Sequence, residues 1–264
     1  MFHVKIIVCI KQVPDTMEVQ IDATTGTLQR EGIEAVVNPL DMYAIEEGLR
    51  LKEQYGGTVS AISMGPRQAE KALREALALG CDEAVLLSDR VFAGADTLAT
   101  AYSLACGIRR IGQYDLILCG LKTTDGDTAQ VGPGLAEELG IPHVSYVGQI
   151  VDLNEETMTV ERPIEDSYET VETPLPCLIT VTKEINVPRL PSFRRKIQAR
   201  KMTVTIWEAK DLKGEKSRFG LDGSPTRVIK VFPPPPRPGG EILTGDAKNQ
   251  AKALIQKLKE RRII

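Results

Sequence analysis

Long hydrophobic runs are absent from the 264-residue sequence, in which no apolar stretch approaches the roughly 20 residues that a membrane-spanning helix needs. No positively charged, apolar leader is present at its start. We therefore expect a cytoplasmic protein without membrane insertion. Cysteine pairs at CxxC spacing are also absent, so the five scattered cysteines are predicted to be buried, reduced thiols.

An excess of positive charge is lacking as well, because the formal net charge is -3. A nucleic-acid partner is therefore not expected. Neither the GxGxxG dinucleotide fingerprint nor the GxxxxGK[ST] phosphate loop occurs. What is present, 42% hydrophobic and 26% charged residues, is ordinary for a soluble globular protein with a sizeable core.

The first half of the chain alternates continuous apolar runs with segments of helical periodicity. The runs, typical of parallel strands covered on both faces, are VKIIVCI (4–10), TVSAISM (58–64), EAVLLS (83–88) and DLILCG (115–120). Between them, apolar residues recur at helical spacing around Ile45, Leu73 and Ala101. This alternation predicts a doubly wound, mostly parallel α/β sheet. A polar turn inside VQIDATTGTLQ (19–29) predicts an inserted hairpin.

After residue 144 the pattern changes to short, alternating, β-rich segments, which predict an antiparallel sheet that extends the same domain. We divide the chain into a nucleotide-binding α/β domain (1–182), a basic segment (183–201) and a C-terminal arm (202–264). The arm contains the proline-rich linker FPPPPRPGG (232–240) and a helix from about Asp246 with one apolar face. That face is expected to pack either on a neighbouring subunit or on the body of its own domain.

The stretch CGLKTTDGDTAQVGP (119–133) follows the fourth apolar run and is rich in glycine, threonine and aspartate. Asp127, with Gln130 after it, is predicted to cap the following helix. The free amides of residues 128–130 would then face outward at the positive end of the helix dipole, which suits a phosphate. A capped helix without a ligand is an alternative, whereas Asp125 and Asp127 lack the further ligands of a calcium loop.

Further loops rich in glycine, proline, aspartate and threonine lie where strands end or helices begin: IKQVPD (10–15), VNPLDMYAIEEG (37–48), SMGP (63–66) and GADTLAT (94–100). Ligands of open α/β sheets bind outside the carboxyl ends of the strands, so we expect these loops to converge on one rim with residues 119–133. This convergence favours a nucleotide cleft. From these patterns alone we infer only that the ligand is bulky, contains phosphate and is bound in a nonstandard arrangement.

These segments resemble the beta subunit of electron transfer flavoprotein. The resemblance runs over nearly the whole chain, through VCIKQVPD (8–15), NPLDMYAIEEGLRLKE (38–53), SMGP, the loop at 120–132 and PRLPSFRRKIQARK (188–201). Its most specific part is VERPIEDSYETVETPLPCLIT (160–180), which matches the family's pattern from Arg162 through Pro176. Ser167 departs from that pattern, which favours glycine or an acid at this position.

The resemblance implies an adenine nucleotide alpha hydrolase-like fold with a C-terminal arm, an alpha subunit as partner, and an FAD carried largely by that subunit. It also implies a nucleotide cleft in this chain, which holds AMP in housekeeping members and a second FAD in the nitrogen-fixation and electron-bifurcating branch. That branch has a loop similar to TTDGDTAQVGP (123–133), so we predict FAD, with AMP as the alternative.

The cofactor residues that the resemblance implies are Cys9, Asn38, Pro39, Leu40, Asp41, Met64, Gly120, Leu121, Lys122, Thr123, Thr124, Asp125, Gly126, Asp127, Thr128, Ala129, Gln130 and Val131. Asp96 and Thr97 are added from their place on the rim and from the resemblance together. No acid, base or nucleophile is expected from the chain, because hydride and single-electron steps belong to the flavin.

In the bifurcating branch the resemblance implies NADH as electron donor. One electron passes through the alpha-subunit FAD to an acyl-CoA dehydrogenase-type partner, and the other passes to ferredoxin or flavodoxin. A non-bifurcating beta subunit with structural AMP is one alternative. A non-redox nucleotide-binding module of related α/β fold is another.

The basic segment resembles the family's recognition loop, in which a hydrophobic anchor followed by basic residues docks on the dehydrogenase. The partner-binding residues implied in this way are Arg189, Leu190, Phe193, Arg194 and Arg195. Phe193 falls at or near the anchor position, where housekeeping members carry leucine. A solvated basic loop without a partner is the alternative.

Overall fold

The computed structural model describes residues 3–15, 35–229 and 239–264. The hairpin predicted at 19–29 lies outside the described residues, as does most of the proline-rich linker. The strands are β1 Val4–Cys9, β2 Gln12–Pro14, β3 Ala35–Val37, β4 Gly57–Met64, β5 Glu83–Leu87, β6 Leu116–Gly120, β7 His143–Val147, β8 Gln149–Leu153, β9 Thr157–Ile164, β10 Ser167–Pro174, β11 Cys177–Val181 and β12 Thr205–Trp207. The helices are α1 Pro39–Tyr55, α2 Glu70–Leu79, α3 Thr97–Ile111, α4 Val131–Leu139, α5 Phe193–Ala199 and α6 Ala247–Glu260.

A seven-stranded parallel sheet in the order β12-β5-β4-β1-β6-β11-β7 forms the centre of the molecule. From β1 the chain adds β4 and β5 on one side, then crosses to the other side of β1 to add β6. The reversal makes the gap between β1 and β6 a topological switch point, where Cys9 pairs in register with Cys119. The predicted doubly wound α/β fold is confirmed.

Helices cover both faces of this sheet, because successive side chains of each strand point to opposite faces. In β1, Ile6 and Val8 join the core beneath α1 and α2, whereas Ile7 joins the core beneath α3 and α4. Fully burying one such aliphatic side chain contributes roughly 1.5–3 kcal/mol. Burial on both faces explains why these strands are continuous apolar runs in the sequence.

The segment after residue 144 was predicted as one antiparallel sheet, and this is only partly right. A separate three-stranded antiparallel sheet does form, in the order β10-β9-β8. However, β7 and β11 run parallel to β6 in the central sheet. The reason is visible in β11, whose residues are buried throughout and therefore suit an interior parallel strand, whereas only alternate residues of β9 are buried in its first half.

The C-terminal part of the chain begins on the central sheet, because β12 pairs with β5 at its edge. Phe219 then fills the core beneath α3, with its ring centroid 5.3 Å from those of Phe92 and Tyr102. The predicted last helix is confirmed as α6, and Asp246 caps it by accepting a hydrogen bond from the Asn249 amide at 2.8 Å. Among the described residues, none of the helices combines the length and hydrophobicity needed to cross a membrane.

Candidate nucleotide-binding site

Three of the predicted loops, at 10–15, 37–48 and 119–133, meet at the carboxyl ends of β1 and β6. The loops at 63–66 and 94–100 follow β4 and β5 at the same edge of the sheet. We use the name crevice for the space bordered by residues 10–13, the first turn of α1 and residues 120–131, and the name crevice loop for residues 120–131. A groove of about 390 Å³ beside Arg110 and Trp207 lies at the opposite, amino-terminal edge of the sheet. Ligands of open α/β sheets bind at the carboxyl edge, so the crevice is the candidate site.

Asn38, immediately before α1, ties the crevice loop to that helix. Its side chain is fully buried, and its Nδ2 donates to Asp41 Oδ1 at 2.8 Å and to the Lys122 carbonyl at 3.0 Å. Its Oδ1 accepts from the Thr124 amide at 3.2 Å. One uncharged side chain thus fixes two backbone groups of the loop, while Pro39 occupies the first helical position, where its missing amide costs nothing.

Asp41 is a buried carboxyl group in the first turn of α1. Besides Asn38, the Lys11 amide donates to its Oδ2 at 2.7 Å. Burial raises the pKa of Asp41 to about 7, and the hydrogen bonds from Asn38 and Lys11 only partly oppose that rise. A Cβ on Gly120 would lie 2.3 Å from Asp41 Oδ1 and 2.7 Å from the Leu40 carbonyl carbon, so only glycine lets β6 end this close to α1.

The crevice loop turns through two residues in the left-handed region, Asp127 at φ 53° and Ala129 at φ 54°. Such a conformation is uncommon outside glycine and often marks a functional site. The prediction that Asp127 caps the next helix is wrong, because α4 begins at Val131 and Gln130 occupies the cap position. The turn at Asp127 instead closes on Thr123, whose carbonyl accepts from the Asp127 amide at 2.9 Å.

The amides of Thr128, Ala129 and Gln130 donate to no protein acceptor within the described ranges 3–15, 35–229 and 239–264. They precede α4, whose own first amides carry the positive end of the helix dipole. Unpaired backbone donors at such a place fit a phosphate. Thus the expected donors are present even though the expected cap is not, and Pro133 lies in the first turn of α4, where its missing amide is tolerated.

Two lysines hold the acidic side chains of this loop. Lys11 Nζ pairs with Asp125 at 2.7 Å, and Lys122 Nζ pairs with Asp127 at 2.7 Å. Burial raises the pKa of Asp125, but the hydrogen bonds from Lys11 and Thr123 outweigh it and the net pKa is lowered. Sequence reasoning missed Lys11, although its position directly after the first strand places it on the rim.

Asp96 and Thr97 lie at the start of α3. Asp96 Oδ1 accepts from the Leu98 and Ala99 amides at 3.0 and 3.1 Å, and its Oδ2 accepts from Thr226 Oγ1 at 2.9 Å. Its carboxylate is therefore engaged in capping α3 and in holding Thr226 of the C-terminal arm. Thr97 faces the crevice loop, because its hydroxyl donates to Gln130 Oε1 at 3.1 Å.

Cys9, Cys119 and Met64 lie beneath or beside the crevice. Cys9 and Cys119 are buried on adjacent strands. The hydrogen bond with Cys9, together with burial, raises the pKa of Cys119, so this thiol stays protonated at neutral pH. Met64 is half-buried at the end of β4 and packs against the core beneath α3. All five cysteines are free and buried, as expected.

The basic segment, which we call the docking segment (183–201), exposes a set of apolar side chains. Leu190 is 90% exposed and Phe193 is 80% exposed. Phe193 begins the short helix α5, which sequence reasoning missed and which Ser192 caps by accepting from the Arg195 amide at 3.2 Å. Arg194 and Arg195 are exposed, whereas the Arg189 guanidinium pairs within the chain with acidic residues of α1.

Comparison with known proteins gives a consistent result over nearly the whole chain. The family model described as electron transfer flavoprotein domain matches residues 25–212. The chain is 51% identical to an electron transfer flavoprotein subunit beta of Thermoanaerobacterium thermosaccharolyticum, over 98% of this chain and 99% of the relative. The corresponding protein of Clostridium acetobutylicum is 49% identical, over 98% and 99%. The caffeyl-CoA reductase-Etf complex subunit CarD of Acetobacterium woodii is 47% identical, over 98% and 100%.

Proposed function

The chain belongs to the electron transfer flavoprotein beta-subunit family, and from this premise we propose that its crevice binds FAD and that it takes part in flavin-based electron bifurcation. Membership implies electron transfer together with an alpha subunit. The proposed donor is NADH, and the proposed acceptors are ferredoxin or flavodoxin and an acyl-CoA dehydrogenase-type enzyme. The relative in the caffeyl-CoA reductase-Etf complex supports an acceptor that acts on a CoA ester.

The observation that carries the proposal is the set of unpaired amides at residues 128–130, beside the switch point between β1 and β6. A dinucleotide needs donors for its pyrophosphate and a cleft long enough for both halves, and a switch point supplies such a cleft. The left-handed residues Asp127 and Ala129 shape the backbone around these donors. These features fit a bound nucleotide, and the loop's similarity to the bifurcating branch favours FAD over AMP.

The chemistry that bound FAD supplies is acceptance of a hydride and donation of single electrons. The residues of the chain bind the cofactor and orient it. The amides of residues 128–130 donate to phosphate, and Asn38 holds the loop backbone that carries them in place. Lys11 and Lys122 pair with Asp125 and Asp127 and so neutralise the carboxylates that would otherwise repel a diphosphate.

Two surfaces are proposed to bind protein partners. In α6, which has no buried residue in the described chain, Leu254 and Ile255 are about half-exposed, and we assign this apolar face to the alpha subunit. Leu190 and Phe193, with Arg194 and Arg195 beside Phe193, are assigned to the dehydrogenase. An exposed aromatic flanked by arginines has the composition of an interface hot spot.

The test is to release the noncovalent ligands from the purified heterodimer and to count FAD against AMP. We expect two FAD and no AMP per heterodimer, together with ferredoxin reduction by NADH that depends on the CoA-ester acceptor. One FAD and one AMP per heterodimer would instead support the non-bifurcating subunit. A heterodimer without flavin that turns over ATP would support the non-redox module.

A further inference from the structure

We propose that Arg189 is a positioning residue, which fixes the docking segment on α1 and so sets the direction in which Leu190 and Phe193 are presented. The inference rests on the proposed docking function of residues 183–201. It assigns to Arg189 a role inside the chain rather than direct contact with the partner.

Arg189 is held by α1 through both its side chain and its backbone. Its Nε donates to Glu46 Oε2 at 2.8 Å and its Nη2 to Glu46 Oε1 at 3.0 Å, a two-pronged pair. Its Nη2 also donates to Glu53 Oε2 at 3.0 Å, and its own amide donates to Glu46 Oε2 at 3.1 Å. The side chain of Glu46 is only 7% exposed, so one end of this contact is shielded from solvent.

Neighbouring residues reinforce the same attachment. Asn186 Nδ2 donates to the Tyr43 carbonyl at 3.0 Å and to Glu47 Oε2 at 2.9 Å. Arg50 Nη1 donates to the Ile185 carbonyl at 3.4 Å. The chain from Ile185 to Arg189 is therefore bonded to successive turns of α1 immediately before Leu190, although Val187 within it is exposed.

The far end of the docking segment has a second attachment, on α2. Arg74 Nη1 donates to the carbonyls of Ala199 and Met202 at 3.2 and 3.3 Å. A pair with Glu70 at 2.6 Å holds Arg74 in place. The exposed stretch from 190 to 198 is thus attached at both ends. The loss of conformational entropy when a partner binds is therefore smaller than for a free loop.

The attachment at Arg189 also sets the docking surface relative to the crevice. Asp41 lies under the crevice, and Glu46 lies farther along the same helix by about 7.5 Å, at 1.5 Å per residue. Because α1 is continuous between them, the partner that docks on Leu190 and Phe193 is placed at a defined distance from the bound nucleotide.

The test compares three heterodimers carrying Arg189→Ala, Arg189→Lys and Glu53→Gln with a control carrying Arg109→Ala. Arg109 is an exposed arginine at the end of α3 that donates to the Glu138 carbonyl, far along the chain from the docking segment. Deuterium exchange at the amides of residues 190–198 reports the attachment. Turnover with a purified short-chain acyl-CoA dehydrogenase as the probe reports docking.

For Arg189→Ala we expect exchange about tenfold faster and a KM for the dehydrogenase about tenfold higher, with kcat at saturation and nucleotide content unchanged. Lysine cannot reproduce the two-pronged geometry, so Arg189→Lys should give intermediate values. Glu53→Gln, which leaves the Glu46 contact, should give a smaller effect, and Arg109→Ala should give none.

Unchanged exchange in Arg189→Ala would overturn the proposal, and so would faster exchange with an unchanged KM. A fall in kcat or in nucleotide content along with KM would show a general structural defect and would also overturn it. Failure of the proposed function is a separate outcome, because it would show in the wild-type heterodimer as a lack of crevice FAD or of dehydrogenase reduction.

Discussion

The crevice loop and the docking segment are both attached to α1, but by different kinds of contact. The backbone of the crevice loop is held by the buried, uncharged amide of Asn38 and by close packing at Gly120, whereas exposed ion pairs with lysines hold only its acidic side chains. The docking segment is held by ion pairs between Arg189 and two glutamates, in which the arginine is 34% exposed. The first kind of contact resists salt and depends on shape, whereas the second depends on charge and is screened.

The largest expected effect breaks the crevice attachment. Asn38→Ala removes the donor to the Lys122 carbonyl and the acceptor for the Thr124 amide, and each of these part-buried hydrogen bonds contributes roughly 0.5–1.5 kcal/mol. We expect loss of most of the bound nucleotide on purification, measured by releasing and counting it. Asn186→Ala, which removes a comparable amide at the docking end, should leave the nucleotide count at the wild-type value; equal loss in both would contradict the comparison.

A second change tests the close approach at Gly120. Gly120→Ala places a Cβ 2.3 Å from Asp41 Oδ1, so the end of β6 must shift, at an expected cost of about 1–3 kcal/mol in the free energy of unfolding. Gly134→Ala is the matched control, because its Cβ would meet only Ala101 at an ordinary 3.4 Å and lies within α4. The control should be neutral or stabilising by roughly 0.5–1 kcal/mol. Urea titration measures both, and equal destabilisation would show that crowding at Gly120 is not the cause.

Much of this arrangement follows from patterns that a sequence displays. Apolar runs and helical periodicity predicted the central strands, the flanking helices and the rim on which the loops meet. β11 was misassigned because a buried interior strand and a β-rich meander look alike when strand neighbours are unknown. The error at Asp127 has a different origin, since left-handed backbone at a residue other than glycine leaves no mark in the sequence.

The contacts that distinguish the two regions could not be predicted, because they join distant parts of the chain. Lys11 and Asp125 are 114 residues apart, and Arg189 and Glu46 are 143 apart. When only the sequence is known, a charged residue next to a motif is interpreted as exposed or partner-binding, because its neighbour in space is not known. Arg189 shows this directly, since its sequence position suggests a partner contact and its geometry shows an internal one.

A third prediction concerns the pH dependence of stability and bears on Asp41, beside the crevice. The folded state raises the pKa of Asp41 from 3.8 to about 7, so between these values the folded chain holds a proton that the unfolded chain has released. This group therefore favours folding most at low pH, and its contribution falls by up to about 1.4 kcal/mol per unit as pH rises toward 7. Asp41→Asn should gain stability relative to wild type over that range, measured by urea titration at several pH values. A difference that stays constant with pH would show that Asp41 is ionised in the folded state.

The smallest expected effect concerns salt and bears on the docking segment alone. The Arg189–Glu53 pair is the exposed one, with Glu53 60% exposed, and an exposed ion pair contributes roughly 0.2–1 kcal/mol. Raising the salt concentration well above the physiological range should therefore speed amide exchange at residues 190–198 by about threefold. The contacts of Asn38 with the loop backbone are uncharged, so exchange at the Thr124 amide should change much less than exchange at residues 190–198. In Arg189→Ala the salt effect on the segment should be much smaller, because the pairs with Glu46 and Glu53 are gone and only the Arg74–Glu70 pair at the far end remains. If the variant keeps the full salt effect, other charges hold the segment, and the contrast between a shape-based and a charge-based attachment to α1 no longer stands.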